Sequence, residues 1–198
     1  MDTFTNLTGI AGITLAVAAL SGMALERLSL SKRLSTLSAS GIFVLLLLPF
    51  GELPLAAYVR GMAGDLSITT LLLIGYVSGR RLGGLPPVDS QHRIGSLLLL
   101  VLAACALYPF ALGATAYDPY RLGYGEPWFL ALLLTLALTG SALRLPFVAL
   151  SISLAVLAWA VGWYESCNLW DYLIDPALSV YALLALLHAL YRLWHPAE

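Results

Sequence analysis

Charge is what this sequence has least of. Asp, Glu, Lys and Arg make up 11% of its 198 residues, about half the share of an ordinary soluble domain. With 60% hydrophobic residues and a mean hydropathy of +0.88, the chain cannot cover a water-facing surface, so lipid must be the solvent for much of it. The net charge of -1 argues against nucleic acid, which needs a basic stripe to neutralise phosphates. Two cysteines, Cys105 inside an apolar run and Cys167 outside one, make neither a disulfide framework nor a metal site. Polar runs are short, so a single transmembrane domain over residues 1–198 is expected, with no separate soluble domain.

Catalytic signatures are missing too. There is no H-E-x-x-H, no Gly-x-Ser-x-Gly and no phosphate-cradling glycine loop. The three histidines are His92, His188 and His195, and the topology below puts all of them on or near the side opposite Cys167. That argues against a Cys–His hydrolase and against a haem held by two facing histidines. No cofactor and no metal is expected. Asp2 and no Lys or Arg stand before the first apolar run. That is unlike the positive start of a secretory leader, so the run is read as an uncleaved span.

What is present is a series of apolar runs. A span needs about twenty such residues at 1.5 Å each. Seven runs qualify: Leu7–Leu25, Leu34–Phe50, Leu66–Gly79, Ile94–Gly113, Trp128–Leu143, Pro146–Trp163 and Pro176–Trp194. The third is the shortest. Leucine dominates and β-branched residues are few, which favours helices over a β-barrel. The expected fold is therefore all-α, a polytopic membrane protein of about seven transmembrane helices.

Seven crossings sort the charges. One side holds Arg27, Lys32, Arg33, Arg80, Arg81, Arg93, Arg144 and Arg192, eight of the ten basic residues. The other holds Arg60, Arg121 and eight of the eleven acids: Asp2, Glu52, Asp65, Asp118, Glu126, Glu165, Asp171 and Asp175. The positive-inside rule then gives an outer N-terminus and an inner C-terminus, in a bacterial-type inner membrane. Helix-end signals agree. Asp65 and Asp175 read as N-caps, the latter before Pro176 at the first helical position. Leu145-Pro146 makes a tight turn between antiparallel neighbours. Gly75-x-x-x-Gly79 and Ala158-x-x-x-Gly162 are candidate helix-packing motifs. The loop Arg80–Arg93 reads as a topological anchor that meets anionic headgroups.

The informative stretches face outward. Gly51–Asp65 reads as an interfacial segment. Ala114–Pro127 carries Tyr117, Asp118, Tyr120, Arg121, Tyr124 and Glu126, followed by Trp128. Trp163–Pro176 carries Trp163, Glu165, Asn168, Trp170, Asp171 and Tyr172. These three segments with Trp128 hold nine of the 5 Trp and 10 Tyr. One reading is an aromatic belt at headgroup level. The sharper reading is a polar vestibule that binds a ligand by ring stacking and carboxylate hydrogen bonds. Glu165, Asp171 and Asp118 are the candidates for general acid–base catalysis. His188 is a lone ionisable group within the last span, either functional or satisfied by packing. Ser67, Thr69, Thr70, Thr135, Thr139 and Ser141 could line a polar path or bond to their own helices. Three functions remain: a non-catalytic component that binds a membrane or periplasmic protein or an envelope lipid or glycan; a small carrier or flippase-like transporter of a neutral or zwitterionic substrate; and an integral-membrane enzyme using outer carboxylates.

Overall fold

The protein is seen in a computed structural model that describes residues 2–113 and 116–195, with side chains from Phe4 onward. The side chain of Asp2, an expected outer acid, and Ala114, the first residue of an expected outer loop, lie outside these. The chain is mostly helical, and most of each of the seven apolar runs lies on a helix of its own. Its contacts divide it into two compact units. The first takes in residues 1–66, 71–86 and 162–165, and the second residues 67–70, 87–161 and 166–198.

The first unit begins with α1 (Asp2–Arg27) and α2 (Lys32–Leu47), joined by a tight turn with Ser29 at φ 70°. Ser31 caps α2 by accepting from the Leu34 N–H. Pro49 cannot extend that helix, and the residue before a proline is pushed to extended backbone. Leu48 is extended accordingly, at ψ 141°. A two-residue hairpin follows, β1 (Pro49–Phe50) against β2 (Leu53–Pro54), with Gly51 at φ 72° where a side chain would be strained. The next helix, α3 (Leu55–Ala63), lies within the segment expected at the interface. Ile13 of α1, Leu46 of α2 and Ala56 of α3 meet in one apolar cluster. The helix α4 (Ile68–Leu82) runs mostly in this unit.

The second unit contains α5 (Ser90–Ala111), α6 (Pro127–Ala142), α7 (Pro146–Ala160), a one-turn helix α8 (Trp170–Leu173) and α9 (Pro176–Trp194). A 3-10 helix spans Pro119–Tyr124. Proline opens α6, α7 and α9, where its missing N–H costs nothing and its fixed φ suits a first turn. The expected antiparallel pairing of α6 with α7 is present. Arg144, at φ 58°, makes the sharp reversal between them, and an added Cβ at Gly140 would sit 3.4 Å from Val148. Leu97 of α5 packs with Ala182 and Leu186 of α9 in a second apolar cluster.

Among the described residues, three helices are long and apolar enough to cross a membrane: residues 4–27 of α1, all of α5 and all of α9. At 1.5 Å per residue the 22 residues of α5 reach about 33 Å, a full hydrocarbon core. The shorter apolar helices α6 and α7 have 16 and 15 residues and reach about 24 and 22 Å. Their outward faces are bare leucine. Leu134 and Leu138 on α6 and Leu184 on α9 are each more than half exposed. Burying a leucine is favourable by about 2 kcal/mol, so such rows persist only where lipid covers them. This is the surface of a membrane protein.

Three local expectations change. Asp65 is not the cap of α4. Arg60 takes its carboxylate, and the Ser67 hydroxyl accepts from the Thr70 N–H instead. The glycines of the spaced motifs meet no second helix: nothing comes within 4 Å of an added Cβ at Gly75 or Gly162, and at Gly79 the neighbour is Leu85 of the connection that follows α4. Gly162 ends α7 at φ 65°, a left-handed turn that glycine makes without strain. The irregular part of the 80–93 connection is also shorter than expected, because α4 carries Arg80 and Arg81 in its last turn.

Candidate functional site

The two aromatic stretches meet within the second unit, and they meet through backbone. The Leu169 N–H donates to the Gly123 carbonyl at 2.8 Å, which pins the 3-10 helix to the stretch leading into α8. Asn168, 1% exposed, donates its amide to the Tyr120 carbonyl at 2.8 Å and accepts the Trp170 N–H at 3.0 Å. The Trp170 indole N–H donates to the Pro119 carbonyl at 3.0 Å. Its ring packs on Phe129 of α6, centroids 4.7 Å apart. Gly123 is required here, since a Cβ would lie 1.8 Å from Asn168 Oδ1. Tyr172, fully buried, donates to the Ser166 carbonyl at 2.9 Å. From α7, the Trp159 indole N–H reaches the Cys167 carbonyl at 2.8 Å.

Three carboxylates of this unit are engaged. Asp171 Oδ2 accepts from both the Tyr120 hydroxyl, at 2.9 Å, and the Ser166 hydroxyl. Burial, reinforced by the Asp171 carboxylate, pushes the Tyr120 phenol above its ordinary range, so it remains a donor. Asp118 caps the 3-10 helix by accepting the Tyr120 N–H at 2.9 Å. Asp175 is the N-cap of α9 as expected, accepting the Leu178 N–H at 2.8 Å. Its second oxygen accepts the Ser67 N–H at 2.9 Å and the Thr70 hydroxyl. Two of the six polar-path candidates thus serve a helix cap, and Thr135 bonds back to Ala131 of its own helix.

Other predicted binding residues are exposed. Tyr117, Tyr124 and Trp128 are 61%, 62% and 85% exposed. Arg121 and Glu126 are exposed as well. Tyr124 meets Tyr120 edge-to-face at 5.9 Å. Beneath the framework, α5, α6 and α7 enclose a cavity of about 270 Å³, walled by leucines together with Phe129 and Trp170. The Ser96 and Ser151 hydroxyls at its wall donate to carbonyls of their own helices, so the cavity offers hydrocarbon.

Trp163 and Glu165 belong to the first unit. Arg60 binds Asp65 through two bonds, 2.6 and 2.9 Å, donates to Asn6 Oδ1 at 2.7 Å, and lies 3.6 Å from Glu165. The Asp65 bonds hold its guanidinium charged even more firmly than usual. Gly9 makes room, since a Cβ there would fall 2.3 Å from Asp65 Oδ1. Trp163 meets Phe4 edge-to-face at 5.7 Å, and the Tyr164 hydroxyl donates to the Leu66 carbonyl at 2.7 Å. Of the catalytic candidates, Glu165 is in this unit, and Asp118 and Asp171 are in the other.

Sequence reasoning passed over Ser166, Gly123 and Arg60, each of which organises a cluster. A glycine between two tyrosine-bearing turns is the one signal that could have pointed to a close approach. His188 is exposed on α9 and makes no hydrogen bond or ion pair among the described residues. No group of three metal-ligating side chains occurs among them. Comparison of the chain with protein-family models, with curated proteins and with solved structures gives no match.

Proposed function

We propose that the chain is a seven-span inner-membrane protein, N-terminus outside and C-terminus inside, that binds an envelope lipid or lipid-linked glycan without transforming it. The exposed rings Tyr117, Tyr124 and Trp128 take the head of the ligand, and the apolar cavity under Trp170 takes its chain. The observation that carries this reading is the vertical order of one unit: exposed rings, a hydrogen-bonded floor, then a hydrocarbon-lined cavity of about 270 Å³. Amphiphiles share that order of polarity. A protein partner would be served by the rings alone and gives no role to the cavity. Asp171 and Asp118 already hold hydroxyl and N–H groups, which favours binding over acid–base chemistry.

The test is mass spectrometry of lipids retained by the purified protein. Wild type should carry a defined amphiphile. The Tyr117→Ala/Tyr124→Ala/Trp128→Ala variant should lose it, as should Ala103→Phe, which fills the cavity. A co-purifying protein lost with the rings but kept in Ala103→Phe would instead make the outer face a protein interface. Topology is tested separately. An impermeant maleimide on intact spheroplasts should label Cys167 and spare Cys105, which is exposed on α5 in the middle of a proposed span. Labelling of Cys167 only after lysis would invert the assignment.

A further inference from the structure

At one end of the first unit, α1 and α4 finish side by side. Arg27 stands in the last turn of α1, and Arg80 and Arg81 in the last turn of α4. All three line one concavity of about 450 Å³ together with Glu26, Met23 and Val77. The single carboxylate there is already committed. Glu26 Oε2 pairs with Arg81 Nε at 2.8 Å, and Oε1 accepts the Ser35 hydroxyl at 3.1 Å. Arg81 also donates to Ser35 Oγ at 2.7 Å, and Gly22 lets its guanidinium lie against α1, where a Cβ would come within 2.7 Å. Arg27 and Arg80 remain exposed, with no hydrogen bond or ion pair among the described residues. Three guanidiniums against one carboxylate leave the concavity with two surplus positive charges.

Depth decides what fits. Met23 precedes Arg27 by four residues and Val77 precedes Arg80 by three, so each apolar side chain sits one turn further into the span, on the same helix face as its arginine. Charge at the helix ends with hydrocarbon one turn below is the profile of a headgroup region. A soluble anion would leave Met23 and Val77 uncovered. We propose that this concavity is a binding site for one anionic phospholipid, its phosphate between Arg27 and Arg80 and the start of its acyl chains over Met23 and Val77. Arg81, held by Glu26 and Ser35, is the fixed wall of the site. The site lies on other residues than the proposed outer one, so either can fail alone.

The experiment titrates phosphatidylglycerol or phosphatidylcholine into the purified protein in neutral detergent and reads the melting temperature, with native mass spectrometry counting retained lipid. Phosphatidylglycerol should raise the melting temperature at low salt, less so in high salt, and phosphatidylcholine should not. Arg27→Gln/Arg80→Gln should weaken phosphatidylglycerol binding by about thirtyfold. Arg27→Lys/Arg80→Lys, which keeps the charge, should retain most of it and serves if the glutamine variant does not fold. Arg192→Gln, an exposed arginine that does not line the concavity, should bind as wild type. The proposal is overturned if phosphatidylcholine stabilises equally, if the glutamine variant binds phosphatidylglycerol as wild type does, or if inorganic phosphate alone gives the full shift.

Discussion

Residues 117–128 and residues 166–176 are written in nearly the same alphabet, yet the fold uses them in opposite ways. Both mix tyrosine, tryptophan, aspartate and proline. In the second stretch Asn168, Trp170, Tyr172 and Asp175 are buried, and each has a hydrogen-bond partner. In the first, Tyr117, Tyr124 and Trp128 project outward while the backbone around Gly123 supplies carbonyl acceptors. One stretch is floor and the other carries the furniture. An aromatic residue beside an aspartate does not by itself mark a binding surface. Whether the fold leaves its ring exposed does.

The sharpest way to break this contrast is Gly123→Ala. Its Cβ would overlap Asn168, so the floor should separate from the 3-10 helix at a cost of about 3 kcal/mol, seen as a large fall in melting temperature. Asp175→Ala comes next. It removes the cap of α9 and strands the Ser67 N–H, and a loss of about 2 kcal/mol is expected. Tyr120→Phe should cost about 1 kcal/mol, because Asp171 keeps the Ser166 hydroxyl. Trp128→Ala should change stability by no more than about 0.5 kcal/mol while lowering retention of the bound amphiphile. A large destabilisation there would erase the distinction between the two stretches.

The smallest effect is a pH dependence. The folded state raises the Tyr120 pKa, so it holds that proton more tightly than the unfolded chain. The resulting stability is fully present below the ordinary phenol value of about 10 and is lost as pH rises beyond it toward the folded value. Melting curves of wild type should therefore fall on the alkaline side of about pH 10 more steeply than those of Tyr120→Phe.

The helices were legible because their signal is local. The run Leu34–Phe50 became α2 (Lys32–Leu47), and Pro176–Trp194 became α9 with the same ends. Proline and aspartate marked the start of α9 for a reason of backbone chemistry that needs no tertiary context. Partners across the fold were not legible. Asp65 has the right position for a cap, but Arg60 outbids the backbone with two charged bonds. Asn168 and Tyr172 read as surface residues because nothing within ten residues of them says that a 3-10 helix will close over them. The hairpin 49–54 straddles the end of the run Leu34–Phe50 and went unread, since two-residue strands leave no periodicity to detect.

The unequal helix lengths reach beyond the protein. If α6 and α7 cross the membrane as proposed, a bilayer that accommodates α5 over about 33 Å has to thin by roughly 10 Å beside them for their apolar surfaces to remain covered. The elastic penalty of that dimple falls with shorter or less saturated lipids, so the chain should gather such lipids on one flank and settle in the thinner patches of its membrane.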